Sequence, residues 1–281
     1  MAAREAPRLL TGSRVPWLLF ACEFAGTALL VAAGVSLVIL DFGAGSPVAA
    51  ALPSAPLRRA LTGFGFGCVG ALIAVSVLGK VSGAHINPVV TLAFWLKGAI
   101  GGRHALGYIA AQLAGGVAGA LPLLAWGRLG RSVEFGATVP GAGFSTEAAL
   151  MGEIVTTFAL VMGVFAFLGA RRLRPFTPLL FPALYAVMVW LEGPVSGTST
   201  NPARSLGPAV VAGVWSGWWV YLAGPVAGTL VAVAVHGGTW LRRFEIRVAK
   251  LYHFNHDPRG VLHRTSRRTN ADRLARRGSP V

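Results

Sequence analysis

Two short stretches of this 281-residue chain hold residues whose types and spacing could present backbone charge and side-chain amides to a small polar guest: Ser82 to Thr91, SGAHINPVVT, and Ser196 to Pro208, SGTSTNPARSLGP. Each has a Ser-Gly followed by an Asn-Pro and then by an apolar run too short to cross a bilayer. Asn is a strong helix N-cap, because its side-chain oxygen accepts a bond from an unpaired N–H of the first turn. Pro suits the next position, where its missing N–H would have had no intrahelical partner. Asn87-Pro88 and Asn201-Pro202 therefore each start a short helix. Capping uses the Asn carbonyl and leaves its amide free to donate. The helix end adds partial positive charge. Two such ends facing each other would line a polar passage.

The rest of the chain must hold them in an apolar setting. It is 54% hydrophobic and only 12% charged, which excludes an ordinary soluble domain and specifies an integral membrane protein. The net charge of +15 is read as topology and not as nucleic-acid binding. Arg4, Arg8 and Arg14 precede the first apolar run, Arg171, Arg172 and Arg174 sit in a central connector, and eleven Lys/Arg lie beyond Leu241. With an even number of spans all three places share one side, as the positive-inside rule requires. Both termini are then expected in the cytoplasm and the protein in the cell membrane. Cys22 and Cys68 lie inside apolar runs and read as packing residues.

A span needs about 20 apolar residues. Six runs qualify, at roughly 17–40, 60–79, 104–126, 148–170, 177–191 and 214–235. An internal repeat relates them. EFAGTALL from Glu23 matches EIVTTFAL from Glu153, and YIAAQLAG from Tyr108 matches YLAGPVAG from Tyr221. Residues 17–126 and 148–235 are thus two copies of a three-span unit. An odd span count inserts the copies in opposite orientations, so the two Asn-Pro ends meet near the midplane. Residues 1–16 are expected to form an amino-terminal cytoplasmic segment, 17–238 the membrane unit that holds the polar passage, and 239–281 a basic, disordered tail.

Arg204 lies three residues after Asn201 in an apolar segment, where an unpaired charge costs at least ~2.5 kcal/mol; it is a functional candidate. Glu23 and Glu153 occupy equivalent places in the two repeats. Two readings stand: carboxylates bracing the Asn-Pro loops, or proton carriers of a coupled transporter. His85, two residues before Asn87, is expected to bond loop carbonyls.

Two inverted three-span units, each with an Asn-Pro half-helix and the second reading NPARS, resemble the aquaporin superfamily over residues 17 to about 238. The resemblance implies an all-α membrane fold of six transmembrane helices plus two half-helices, and a homotetramer with a pore in each subunit. It implies passive conduction of water and small uncharged solutes across the lipid bilayer, with protons and ions excluded and no cofactor, metal or enzymatic role. By the same resemblance Asn87 and Asn201 donate into the pore. Arg204 stands in the constriction with Gly67, Val189 and Thr198, carried over by their offsets from the Asn-Pro motifs; an offset of one would put Phe66 in place of Gly67. Val89 departs from the usual NPA of the first motif, while Pro202-Ala203 keep it in the second. Small residues at Gly67 and Val189 resemble glycerol-permeable and nodulin-like members, whereas Ser205 replaces the Asp usual in glycerol facilitators. A strict water channel is the alternative, and a closed scaffold or a proton-coupled transporter the rivals of another class.

Overall fold

The computed structural model describes residues 15–238, 245–246 and 248–263. Among the described residues, six long helices are apolar enough to cross a membrane. With the two half-helices they are labelled α1 (Trp17–Phe42), α2 (Ala55–Val75), the half-helix α3 (Pro88–Leu96), α4 (Gly102–Ala120), α5 (Thr146–Gly169), α6 (Thr177–Ser196), the half-helix α7 (Pro202–Ala212) and α8 (Val220–Gly238). The fold is all-α. Leu72, Leu106, Leu179 and Trp17 are among many large apolar side chains facing outward, where hydrocarbon and not water is the expected solvent.

Local chemistry shifts several boundaries from the sequence reading. Ser54 caps α2 by accepting from the Leu57 N–H, so that helix begins at Ala55 and not near residue 60. It ends at Val75 because the Ser76 hydroxyl accepts from the Leu78 N–H and starts a separate short helix, Val77–Ser82. A turn through 214–219 delays α8 to Val220. α6 runs on through Pro194 to Ser196 and stops at Gly197, whose φ of 84° makes a left-handed C-cap. Gly83, with φ 92°, ends the Val77–Ser82 helix in the same way.

α1 packs on α4, α5 on α8 and α2 on α6, and the first two contacts are copies of one another. A Cβ on Gly115 of α4 would lie 2.3 Å from the Phe24 carbonyl oxygen, and one on Gly228 of α8 would lie 2.4 Å from the Ile154 carbonyl oxygen. At both places only glycine lets the helix backbones come this close, the small-residue packing typical of membrane helices.

Residues 248–263 depart from the expected disordered tail. Ala249, Leu251 and Leu262 are at most 2% exposed and join the same apolar core as Ile73, Ala74 and Leu168. A few apolar side chains at suitable spacing are enough to fix the segment, even among many arginines. Residues 239–244, 247 and 264–281 of that tail, and residues 1–14, lie outside the described part.

Candidate functional site

The two loops leading into α3 and α7 have the same unusual backbone. Ala84 and Ile86 in the first, Thr198 and Thr200 in the second, all have positive φ, between 42° and 55°. For β-branched residues this is a costly region, so something must hold it. In each loop a buried carboxylate does. Glu23 accepts from the backbone N–H groups of His85 (3.0 Å) and Ile86 (2.7 Å), and Glu153 from those of Ser199 (2.7 Å) and Thr200 (2.8 Å). Successive N–H groups aimed at one anion form a nest. The Ser82 and Ser196 hydroxyls add bonds of 2.6 and 2.7 Å to the same carboxylates. Tyr108 and Tyr221 close each loop from the other side by donating to the carbonyls of Ser82 and Ser196. The copies differ at Gln112, which donates to both Glu23 and Thr91; Pro225 stands at the matching place in the second repeat.

With their N–H groups turned to the carboxylates, the loops offer carbonyls to each other's asparagine. Asn87 Oδ1 accepts from the Val89 N–H and Asn201 Oδ1 from the Ala203 N–H, both at 3.0 Å. Pro88 and Pro202 occupy the first helical turn, as expected for capped starts. Each amide donates across the repeat boundary: Asn87 Nδ2 to the Thr200 carbonyl at 2.9 Å, and Asn201 Nδ2 to the Ile86 carbonyl at 3.0 Å. An amide has two N–H groups, and this bond uses one. Both asparagines line a cavity of about 30 Å³, walled also by Phe66, Phe181, Tyr185 and Leu251. That is room for roughly two waters.

Arg204 is 5% exposed, and its guanidinium donates to the Gly136 carbonyl at 2.9 Å. Ser205, next to it, shares hydroxyl bonds with Ser199 and Thr138, tying the first turn of α7 to its own loop. Val89 and Ala203 are both buried at 1% exposure or less, so a Val is accommodated in the first motif without reaching solvent.

One carried-over position, Gly67, is placed differently from the expectation. Gly67 does not stand with Val189, Thr198 and Arg204: it lines the cavity at the asparagines, whose walls include none of those three. A Cβ on Gly67 would be 2.4 Å from the Phe181 carbonyl oxygen, so this glycine is a contact between α2 and α6 and not a widened opening. The α2 residue against Val189 is Gly63, one turn earlier, where a Cβ would meet the Val189 Cβ at 2.9 Å. Phe66 presents its ring to the cavity and packs on Tyr185 with centroids 5.5 Å apart. The Thr198 hydroxyl donates to Glu192, a partly buried carboxylate that the sequence reading did not single out; its spacing of three from Val189 on one helix was the available signal.

His85 bonds a side chain and a remote carbonyl, not carbonyls of its own loop. Its Nδ1 lies 3.0 Å from the Thr91 hydroxyl and its Nε2 2.9 Å from the Ala249 carbonyl. A carbonyl only accepts, so Nε2 carries the proton. The carboxyl-terminal segment thus reaches the first loop directly. The Leu251 N–H donates to the Gly83 carbonyl at 3.0 Å, and Lys250 Nζ donates to the carbonyls of Lys80 and His256. Burial pushes the Lys250 ammonium down to about 8, with Asp257 opposing part of the shift. Among the described residues no cluster of His, Cys, Asp and Glu could hold a metal ion.

A model of the family described as Major intrinsic protein matches residues 14–236. Aquaporin NIP1-2 of Oryza sativa subsp. japonica is 33% identical over 219 residues, which are 76% of this chain and 68% of that protein. Aquaporin TIP1-2 of Zea mays is 36% identical over 223 residues, 76% of this chain and 82% of the relative. Aquaporin-6 of Mus musculus is 37% identical over 214 residues, 76% and 69% of the two chains. The X-ray structure of the aquaglyceroporin from Plasmodium falciparum aligns with a TM-score of 0.66, covering 81% of this chain and 98% of that one at 19% identity, a likeness of fold.

Proposed function

Because the chain belongs to the major intrinsic protein superfamily of passive membrane channels for water and small solutes, we propose that its passage runs between Asn87 and Asn201 and carries water and small uncharged solutes, glycerol-like or metalloid hydroxides, while excluding protons and ions. The reciprocal amide bonds carry this reading. They fix both asparagines at the cavity wall and leave the second N–H of each for a guest. A water accepting from both turns its own hydrogens outward, so no continuous proton wire forms. The paired positive helix ends add a barrier to cations, and Arg204 extends it along the first turn of α7.

Glu23 and Glu153 act as braces. Each has both oxygens committed to a loop, which speaks against a proton carrier. Phe66 favours a second reading, a strict water channel, because its ring narrows the space beside the asparagines. A nodulin-like affinity rests on the small apolar Val189. The homotetramer, the cell membrane as location and cytoplasmic termini complete the proposal; the last rests on the arginines of the α5–α6 connector and of the two ends.

Reconstituted protein in a stopped-flow swelling assay with water, glycerol and boric acid tests this. Osmotic flux independent of any pH or sodium gradient is expected. Gradient-dependent uptake, or no flux of any solute, overturns it.

A further inference from the structure

The segment Val248–His263 is built as a closed loop. The Ala249 N–H donates to the Leu262 carbonyl at 2.7 Å, and Val248 pairs with His263. Inside the loop the Asp257 carboxylate accepts from the Leu262 N–H at 2.9 Å and lies 2.6 Å from His263 Nδ1. The loop sits where the first half-helix loop opens to one face of the bundle. Besides the bonds to Gly83, Lys80 and His85, His253 Nε2 lies 2.8 Å from the Val75 carbonyl at the end of α2. The Arg174 guanidinium in the α5–α6 connector lies 5.6 Å from the centre of the Phe254 ring. A segment that merely covered this face would keep its side chains off the passage. Leu251 instead forms part of the wall of the cavity that holds Asn87 and Asn201, at 2% exposure. An apolar side chain there offers nothing for a water file to bond to, and the Nε2 donor of His85 is already spent on Ala249.

We propose that residues 248–263 are a plug seated in one mouth of the channel, with Leu251 as its tip, and that conduction through that mouth requires the plug to leave. Its seat is polar and backbone-directed: carbonyls of Val75, Lys80 and Gly83 on one side, the His85 ring on the other. Such bonds can be exchanged for water when the segment lifts, while its buried leucines favour the seated state. The inference rests on the channel reading above.

The test removes the plug after the channel has assembled. A specific protease site is placed between residues 239 and 244 of the full chain, the protein is reconstituted, and vesicles with protease on both faces are washed before swelling is recorded. Water flux is expected to rise severalfold on cleavage, with the same protein content. In the uncut full chain, Leu251→Ala is expected to raise flux in the same direction. Equal flux before and after complete release of the fragment overturns the plug and leaves the channel standing. No flux in either state overturns both.

Discussion

Asn87 and Asn201 each donate an amide N–H to the carbonyl of the residue just before the other, Ile86 for Asn201 and Thr200 for Asn87, at 3.0 and 2.9 Å. The two half-helices are therefore held tip to tip by a pair of equivalent bonds. The side chains that cap the helices also set the spacing of the gap between them.

This coupling separates two substitutions. Asn201→Asp keeps the capping oxygen but removes the donor and places an oxygen against the Ile86 carbonyl. Asn201→Ala removes the cap as well, at about 1 kcal/mol for the cap alone. Both are expected to lower thermal stability in detergent, as is Asn87→Ala, and the double Asn87→Ala, Asn201→Ala variant should cost less than the sum of the two singles. Additive losses in that double-mutant cycle would count against a shared pair.

Glu23→Gln and Glu153→Gln replace one accepting oxygen by an amide that faces a donor. Hydrogen bonds to a charged group are worth about 1.5–3 kcal/mol each, so both variants should be markedly less stable. Whatever flux survives should stay independent of a pH gradient. A variant that keeps its melting temperature but loses a gradient-driven component would restore the transporter reading.

Cavity width is assigned to Phe66. Phe66→Ala should raise glycerol flux more than water flux. Gly67→Ala should instead impair folding or insertion, because its Cβ meets the α6 backbone. If Gly67→Ala folds normally and narrows the pore, the placement of these two neighbours is reversed.

Arg204→Val leaves the Gly136 carbonyl without its partner and strips the fixed charge from the start of α7. Leakage of protons or urea should rise in correctly inserted protein. Unchanged leakage in proteoliposomes carrying a pH-sensitive dye would show that Arg204 does not face the route.

The seated Lys250 titrates near 8, against 10.5 for an ordinary lysine. Its seated form therefore binds fewer protons between these values, and raising the pH from about 8 to 10.5 favours seating. Water flux should fall over that window, and Lys250→Met should flatten the fall. The charged or titratable neighbours facing Lys250 are Asp257 and His85; a fall that persists in Lys250→Met would assign it to other groups.

The half-helices and the repeat were legible in the sequence because they rest on residue types with few alternatives: Asn-Pro at a helix start, and Glu in a hydrophobic run. Glu23 and Glu153 could be paired by the text around them. The reciprocal amide bonds were not legible, since sequence shows that an amide is free but not which carbonyl it meets. Gly67 misled for a related reason. An offset counted along the chain ignores the break at Ser76 between α2 and the helix that follows, so it cannot tell which face of α2 looks at the cavity. The carboxyl-terminal segment was hidden by its surroundings: Leu251 and Leu262, which anchor it, lie in a tail where arginines far outnumber them.

The crossed asparagine bonds also bear on synthesis. Glu23, Tyr108 and Gln112 can brace the first loop as soon as α4 has emerged, but the Ile86 carbonyl has its donor 115 residues downstream. Deep in a bilayer an unmet carbonyl costs several kcal/mol. The first half of the chain thus lacks the hydrogen that Ile86 accepts, and it stays a poor resident of the lipid until the ribosome delivers the second.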